Sequence, residues 1–256
     1  MLRAFWSSKT AMIANQEKLD IISNNISNIG TTGYKKAEVG FKDLLSESLD
    51  KLGYPIIDNT SVIGTGSKTT NIYRNDRQGN LIDTGIATDL AIDGEGYFKV
   101  VANDGTTYFT RSGKFNIDLN GNLVTDNGLY LDIKYENGFS INNIDLDSKN
   151  MLINKSGEIL QKKNDSYVKV GSIPVYTAIG TEAFIPVGES LYVQNPNIAV
   201  EESNDFSIYQ GYLENSNVDI SEEFTDMIIT QRAFQLASKG MQTADDMWGM
   251  INNLRG

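Results

Sequence analysis

The stretch ISEEFTDMIITQRAFQLASKGMQTADDMWGM, residues 220–250, decides the fold. In it Ile220, Met227, Phe234, Met241 and Trp248 return every seven residues, and Ala237, Ala244 and Ile251 fill the alternate position from the middle onward. A seven-residue apolar repeat lays its members along one narrow stripe of an α-helix, the seam of a coiled coil. Asp219 followed three residues later by Glu222 suits the start of that helix, because a carboxylate there accepts N–H groups that the first turn leaves unpaired. The other end of the chain repeats the pattern: Phe5, Met12, Leu19 and Ile26 recur with the same period, with Leu2, Ile13, Ile22 and Ile29 nearby. Thr31-Thr32-Gly33 ends that segment, glycine supplying the positive φ of a helix exit. Both stripes are narrow for the length of chain they must order. The two terminal helices are therefore expected to pair with each other, with neighbouring copies, or with both.

Between the helices the period changes from seven to two. Strand-like runs cover 90–92, 97–101, 108–111, 114–117, 129–133 and 167–170, bounded by Asp93-Gly94, Asp104-Gly105, Asn120-Gly121, Asn127-Gly128 and Asn137-Gly138. Such dipeptides favour the primed turns of antiparallel hairpins. The stretch from Gly53 to Ser67, with Pro55, Asn59 and several glycines, suits an irregular connector. The expected fold is α+β: residues 1–36 and 212–256 as paired, coiled-coil-like terminal helices, 37–72 as a connector, and 73–211 as a central antiparallel β-rich domain.

Composition narrows function by exclusion. The 256 residues contain no cysteine and no histidine, which removes disulfides, thiolate zinc sites and every imidazole-based catalytic arrangement. A net charge of -11 opposes binding to phosphate backbones, so nucleic acid is not an expected partner. No apolar run approaches the roughly 20 residues needed to span a bilayer, and the first thirty lack the apolar core of a cleaved secretory signal. No cofactor is expected.

Three stretches imitate chemistry. Gly64-Thr65-Gly66-Ser67-Lys68-Thr69 has the residues of a phosphate loop, but that loop needs its second glycine directly before the lysine. Asp118, Asn120 and Asn122 alternate oxygen-bearing side chains as calcium loops do, yet Gly121 comes one position early and Leu129 stands where a bidentate glutamate belongs. Asp89, Asp93 and Glu95 could supply the paired carboxylates of a cell-wall glycosidase, the remote alternative function. Turn chemistry accounts for Asp93 more simply.

The quoted ends and several central motifs resemble the flagellar rod and hook protein family. Met1 to Trp6, Asn15-Gln16, Leu19 to Ile29 and Thr31 to Lys36 look like its N-terminal signature. Asp89 to Phe98, Tyr108 to Phe115 and Gly121 to Thr125 resemble its β domain, and Gln210 to Asp219 with Met227 to Phe234 its C-terminal hallmark. The resemblance implies a non-enzymatic subunit that stacks into a hollow helical shaft in the basal body and transmits torque to the hook. Its implied partners are copies of itself, other rod subunits, the hook protein and the flagellar export apparatus, which needs no cleaved signal. Trp6, Lys9-Thr10 and the chain length resemble the distal rod branch more than the proximal rod or short hook-type alternatives. Candidate self-assembly residues are Phe5, Met12, Leu19 and Ile26 with Met227, Phe234, Met241 and Trp248, plus Asn24, Asn25 and Asn28 as interhelical hydrogen-bonding or turn residues.

Overall fold

The computed structural model describes residues 2–44, 46–48, 62–64, 66–136, 139, 150–163, 166–178, 180, 183–203 and 205–254. The Asn137-Gly138 turn and most of the 53–67 stretch lie outside the described residues. The chain divides into two compact units, one of Met1–Ser27, Ala37–Arg74 and Asp219–Gly256, the other of Asn28–Lys36 and Asn75–Val218.

The first unit is built on α1 (Leu2–Ser27) and α2 (Ile220–Leu254), which pack against each other. Asp219 caps α2 as expected, its Oδ1 accepting the backbone N–H of Ser221 at 2.8 Å and of Glu222 at 3.3 Å. The helices run antiparallel: Asn25 meets Glu223, Lys18 meets Asp226, and Ser8 lies against Gly240. A Cβ on Gly240 would come within 2.8 Å of the Ser8 hydroxyl, so glycine permits the close approach there. Within and just beyond residues 37–72, expected as a connector, the described residues form paired strands of a ribbon in this unit. Ala37–Glu38 pairs with Tyr73–Arg74, Phe41–Asp43 with Ser67–Thr69, and Ser46–Ser48 with Val62–Gly64. The ribbon lies on α1, where the Thr69 hydroxyl donates to the Glu17 carboxylate and the Lys18 ammonium sits 5.9 Å from the Phe41 ring centre.

The second unit is the antiparallel β-rich domain. Its largest sheet runs Phe115–Ile117, Leu123–Thr125, Tyr130–Leu131, Tyr97–Val101, Thr107–Thr110, Leu191–Gln194 and Phe184–Gly188 in order, with Val175–Thr177 and Glu201–Glu202 attached through Tyr97–Val101. A four-stranded sheet (Lys134–Tyr135, Ser166–Ser172, Glu158–Lys163, Met151–Ile153) shares one core with it. Leu90, Ile92, Phe98, Val100 and Phe115 are almost completely buried there, and the Phe98 and Phe115 rings meet edge to face at 5.5 Å.

The turns differ from expectation. Primed turns of type I′ need positive φ at both central residues. Among the described non-glycine residues only Glu189 (53°) and Ser190 (58°) have it, and they join Phe184–Gly188 to Leu191–Gln194. At Asp104-Gly105, Asn120-Gly121 and Asn127-Gly128 only the glycine is left-handed. In the last of these Gly128 N–H bonds Thr125 C=O while Thr125 N–H bonds Leu129 C=O, the pattern of a longer loop closed by a left-handed glycine. Asp93-Gly94 is not a tip at all, because both residues pair with Phe206 and Ser207, leaving Glu95-Gly96 to turn the chain.

One buried ionic cluster anchors the second unit. The Glu214 carboxylate accepts Lys35 Nζ at 2.7 Å, Arg111 Nε at 2.5 Å and the Gly79 N–H at 2.9 Å, with all three side chains almost fully buried. Arg111 also donates to the carbonyls of Ile92, Gly94 and Gly96, and Lys35 to those of Arg77 and Asp76. Burial holds the Lys35 ammonium below its ordinary pKa, opposed chiefly by the Glu214 charge.

Candidate assembly surface

The first unit places the predicted seam residues along its helix pair. Met12, Leu19, Ile26, Met227, Phe234 and Met241 are half-buried, while Phe5 and Trp248 are exposed near the two free helix ends. The fully buried line between the helices is different in kind: Ala14, Ile22 and Asn25 on α1, Glu223, Thr230 and Ala244 on α2. Glu223 and Thr230 occupy the same heptad position as Ala237 and Ala244, so the alternate row extends to the start of α2 with polar members. Periodicity in apolar residues alone cannot show that extension.

Asn25 links three segments. Its Nδ2 donates to Ala37 C=O at 2.9 Å and to Glu223 Oε2 at 3.2 Å, and its Oδ1 accepts the Ala37 N–H at 3.0 Å. One carboxamide thus holds α1, the first ribbon strand and α2 together in a site where water does not compete. Asn28 is a turn residue, its carbonyl and carboxamide oxygens accepting the N–H and hydroxyl of Thr31. Asn24 is exposed. Asn25→Asp removes both Nδ2 donors and turns a carboxylate toward Glu223. It is expected to lower the stability of the helix pair by about 1–3 kcal/mol, the cost of leaving buried partners unsatisfied. Thermal melting followed by helical circular dichroism checks this, with Asn24→Asp giving a smaller shift.

The surface that the heptads do not mark is on the outside of α2. Ile229 (59% exposed), Leu236 (69%) and Met247 are spaced by seven and eleven residues and so share one face, with Ile228 and Met250 beside them. That face lies about 100° round the helix from Thr230. On α1, Leu2, Trp6 and Ile13 are also exposed, and Leu2 and Arg3 border an open groove with Trp248, Ile251 and Asn252. Lys9 sits over the Trp6 ring at 4.8 Å. The helix pair can present apolar and aromatic side chains to a partner, and its inner seam is already in use.

The chemical look-alikes are placed elsewhere. Asp89 is buried and accepts the Thr84 hydroxyl at 2.6 Å, whereas Asp93 and Glu95 are exposed. The Asp118 carboxylate bonds Leu119 N–H and Asn120 Nδ2 within its own turn. Among the described residues no group of three or more Asp, Glu, His or Cys is arranged to hold a metal ion, and no helix is long and apolar enough to cross a membrane.

Three family descriptions match successive parts of the chain: "Flagella basal body rod protein" over residues 7–35, "Flagellar hook protein FlgE/F/G D1 domain" over 91–161, and "Flagellar basal body rod FlgEFG protein C-terminal" over 209–254. Among curated proteins the chain is 33% identical to the flagellar basal-body rod protein FlgG of Borreliella burgdorferi, with 100% of this chain and 99% of that one covered. It is 34% identical to FlgG of Agrobacterium fabrum over 98% of both, and 35% identical to FlgG of Bacillus subtilis over 100% of both.

Proposed function

The chain belongs to the flagellar basal-body rod protein family, and from that membership we propose that it is a distal rod subunit that polymerises into a hollow shaft carrying torque to the hook. Its work is mechanical, and no substrate is turned over. The observation that carries this reading is the outer face of α2. A helix already paired along its seam still exposes Ile229, Leu236 and Met247 in a row, a surface suited to a protein partner. We assign that row, with the free ends of both helices, to contacts between copies. Contacts of this heterologous kind, when they do not close into a ring, generate a helical filament.

Two features support a distal rather than proximal position: full-length similarity to FlgG proteins, and the size they share with this chain. The reading extends to residence in the basal body outside the cytoplasm, passage through the flagellar export apparatus, and end contacts with other rod subunits and the hook protein. Imaging isolated basal bodies with a label on this chain tests the position. Label confined to the rod segment next to the hook is expected, and label at the opposite end of the rod or along the hook overturns it.

A further inference from the structure

The chain passes between its two units at four peptide bonds: Ser27–Asn28, Lys36–Ala37, Arg74–Asn75 and Val218–Asp219. On the β-rich side, the residues bordering three of these crossings belong to one hydrogen-bond network. Lys36 N–H donates to Asn217 Oδ1 at 2.7 Å, Asn217 Nδ2 donates to the carbonyls of Asn75 at 2.8 Å and Arg77 at 2.9 Å, and Asn75 N–H donates to Lys36 C=O at 2.8 Å. Immediately behind it lies the Glu214 cluster. Lys35 precedes Lys36, the Glu214 backbone carbonyl accepts Gly33 N–H at 2.8 Å, and Glu214 Oε1 accepts Gly79 N–H. A Cβ at Gly79 would lie 2.0 Å from the Asn215 carbonyl oxygen, so the segment after Asn75 is pressed against the segment before Val218.

We propose that Asn217, backed by Glu214, Lys35 and Arg111, is a load-sharing clamp. It gathers residues 33–36, 75–79 and 214–217 so that a pull on any one crossing is carried by all three segments together. Two of the crossings, Lys36–Ala37 and Arg74–Asn75, are already joined by the Ala37–Glu38 and Tyr73–Arg74 strand pair, and Asn217 ties the chain before Val218–Asp219 to them. Asn217 suits the task because a carboxamide alone among small side chains accepts from one segment and donates twice to another. The mechanical purpose rests on the proposed rod function, whereas the cooperativity of the clamp does not.

Hydrogen exchange on the purified full-length chain tests the clamp, comparing the parent with Asn217→Asp and Asn217→Ala. Asn217→Asp keeps the acceptor for Lys36 and loses both donors; Asn217→Ala loses everything. The amides of Gly33, Lys36, Asn75 and Gly79 are expected to exchange at least tenfold faster together in both variants, with β-sheet circular dichroism unchanged. Faster exchange at Lys36 alone, or at none of the four, overturns the proposal. A second arm measures swimming of cells carrying Asn217→Asp in buffer and in viscous medium. Speed should fall disproportionately under viscous load; an equal fall in both media, or none in either, overturns the mechanical role. If the chain is not a rod subunit, cells lacking it will swim normally, and the exchange result still stands or falls alone.

Discussion

Glu214→Gln is expected to destabilise the β-rich unit by about 3–5 kcal/mol, the usual consequence of removing one partner from a buried ion pair. Glu214 is the anion between Lys35 and Arg111, and its side chain is 1% exposed. Glutamine keeps the shape but loses the charge, leaving two buried cations facing an amide. For a unit of this size the midpoint of thermal unfolding should fall by roughly 6–20 °C. The deficit should depend on pH in a defined sense. Burial already holds Lys35 below its ordinary value of 10.5, and the Glu214 charge is the main force opposing that depression. Without Glu214 the folded-state pKa drops further, so between it and 10.5 the unfolded chain binds more protons than the folded one. Stability of the variant therefore rises with pH through that window. Urea unfolding followed by β-sheet circular dichroism between neutral pH and about pH 10 reads both effects. Equal midpoints for parent and variant at neutral pH would mean that the cluster contributes nothing.

The sequence marks the helices and the β-rich middle plainly because both follow short-range periods. Asp219 announces its own cap, and the strand Tyr97–Val101 stands at the predicted residues. What depends on long-range proximity is not legible. Lys35, Arg111 and Glu214 lie 76 and 103 residues apart along the chain, and nothing in their local sequence reveals that they share one buried site. The turn type is hidden for a subtler reason. Asn-Gly and Asp-Gly serve both primed turns and longer loops closed by a left-handed glycine, and strand register decides between them. Apolar periodicity does not mark the buried Glu223 and Thr230, although both fall on the heptad row that Ala237 and Ala244 define. The outer row of Ile229, Leu236 and Met247 lies on heptad positions other than the seam's, with the polar Thr243 interrupting its seven-residue spacing before Met250.

That outer row carries the second large effect. Ile229→Asp combined with Leu236→Asp is expected to abolish rod formation while leaving the isolated subunit folded. Both side chains are more than half exposed in the subunit, so the two carboxylates cost it little. Once a neighbouring copy covers them, each unpaired charge costs several kcal/mol of desolvation, repeated at every subunit along the shaft. Two comparisons isolate the cause. Gln235→Asp with Gln242→Asp places the same charges at exposed polar positions of α2, and should disturb assembly much less. Phe234→Asp with Met241→Asp strikes the half-buried seam, and should reduce helical signal and loosen the helix pair in the monomer itself. The direct measurement is electron microscopy of basal bodies from a strain lacking this chain and supplied with either the parent or Ile229→Asp/Leu236→Asp. Rods and hooks should be present with the parent and absent with the variant, whose purified subunit keeps the helical and β-sheet circular dichroism of the parent. Complete rods and normal swimming with the variant would contradict assembly through this face of α2.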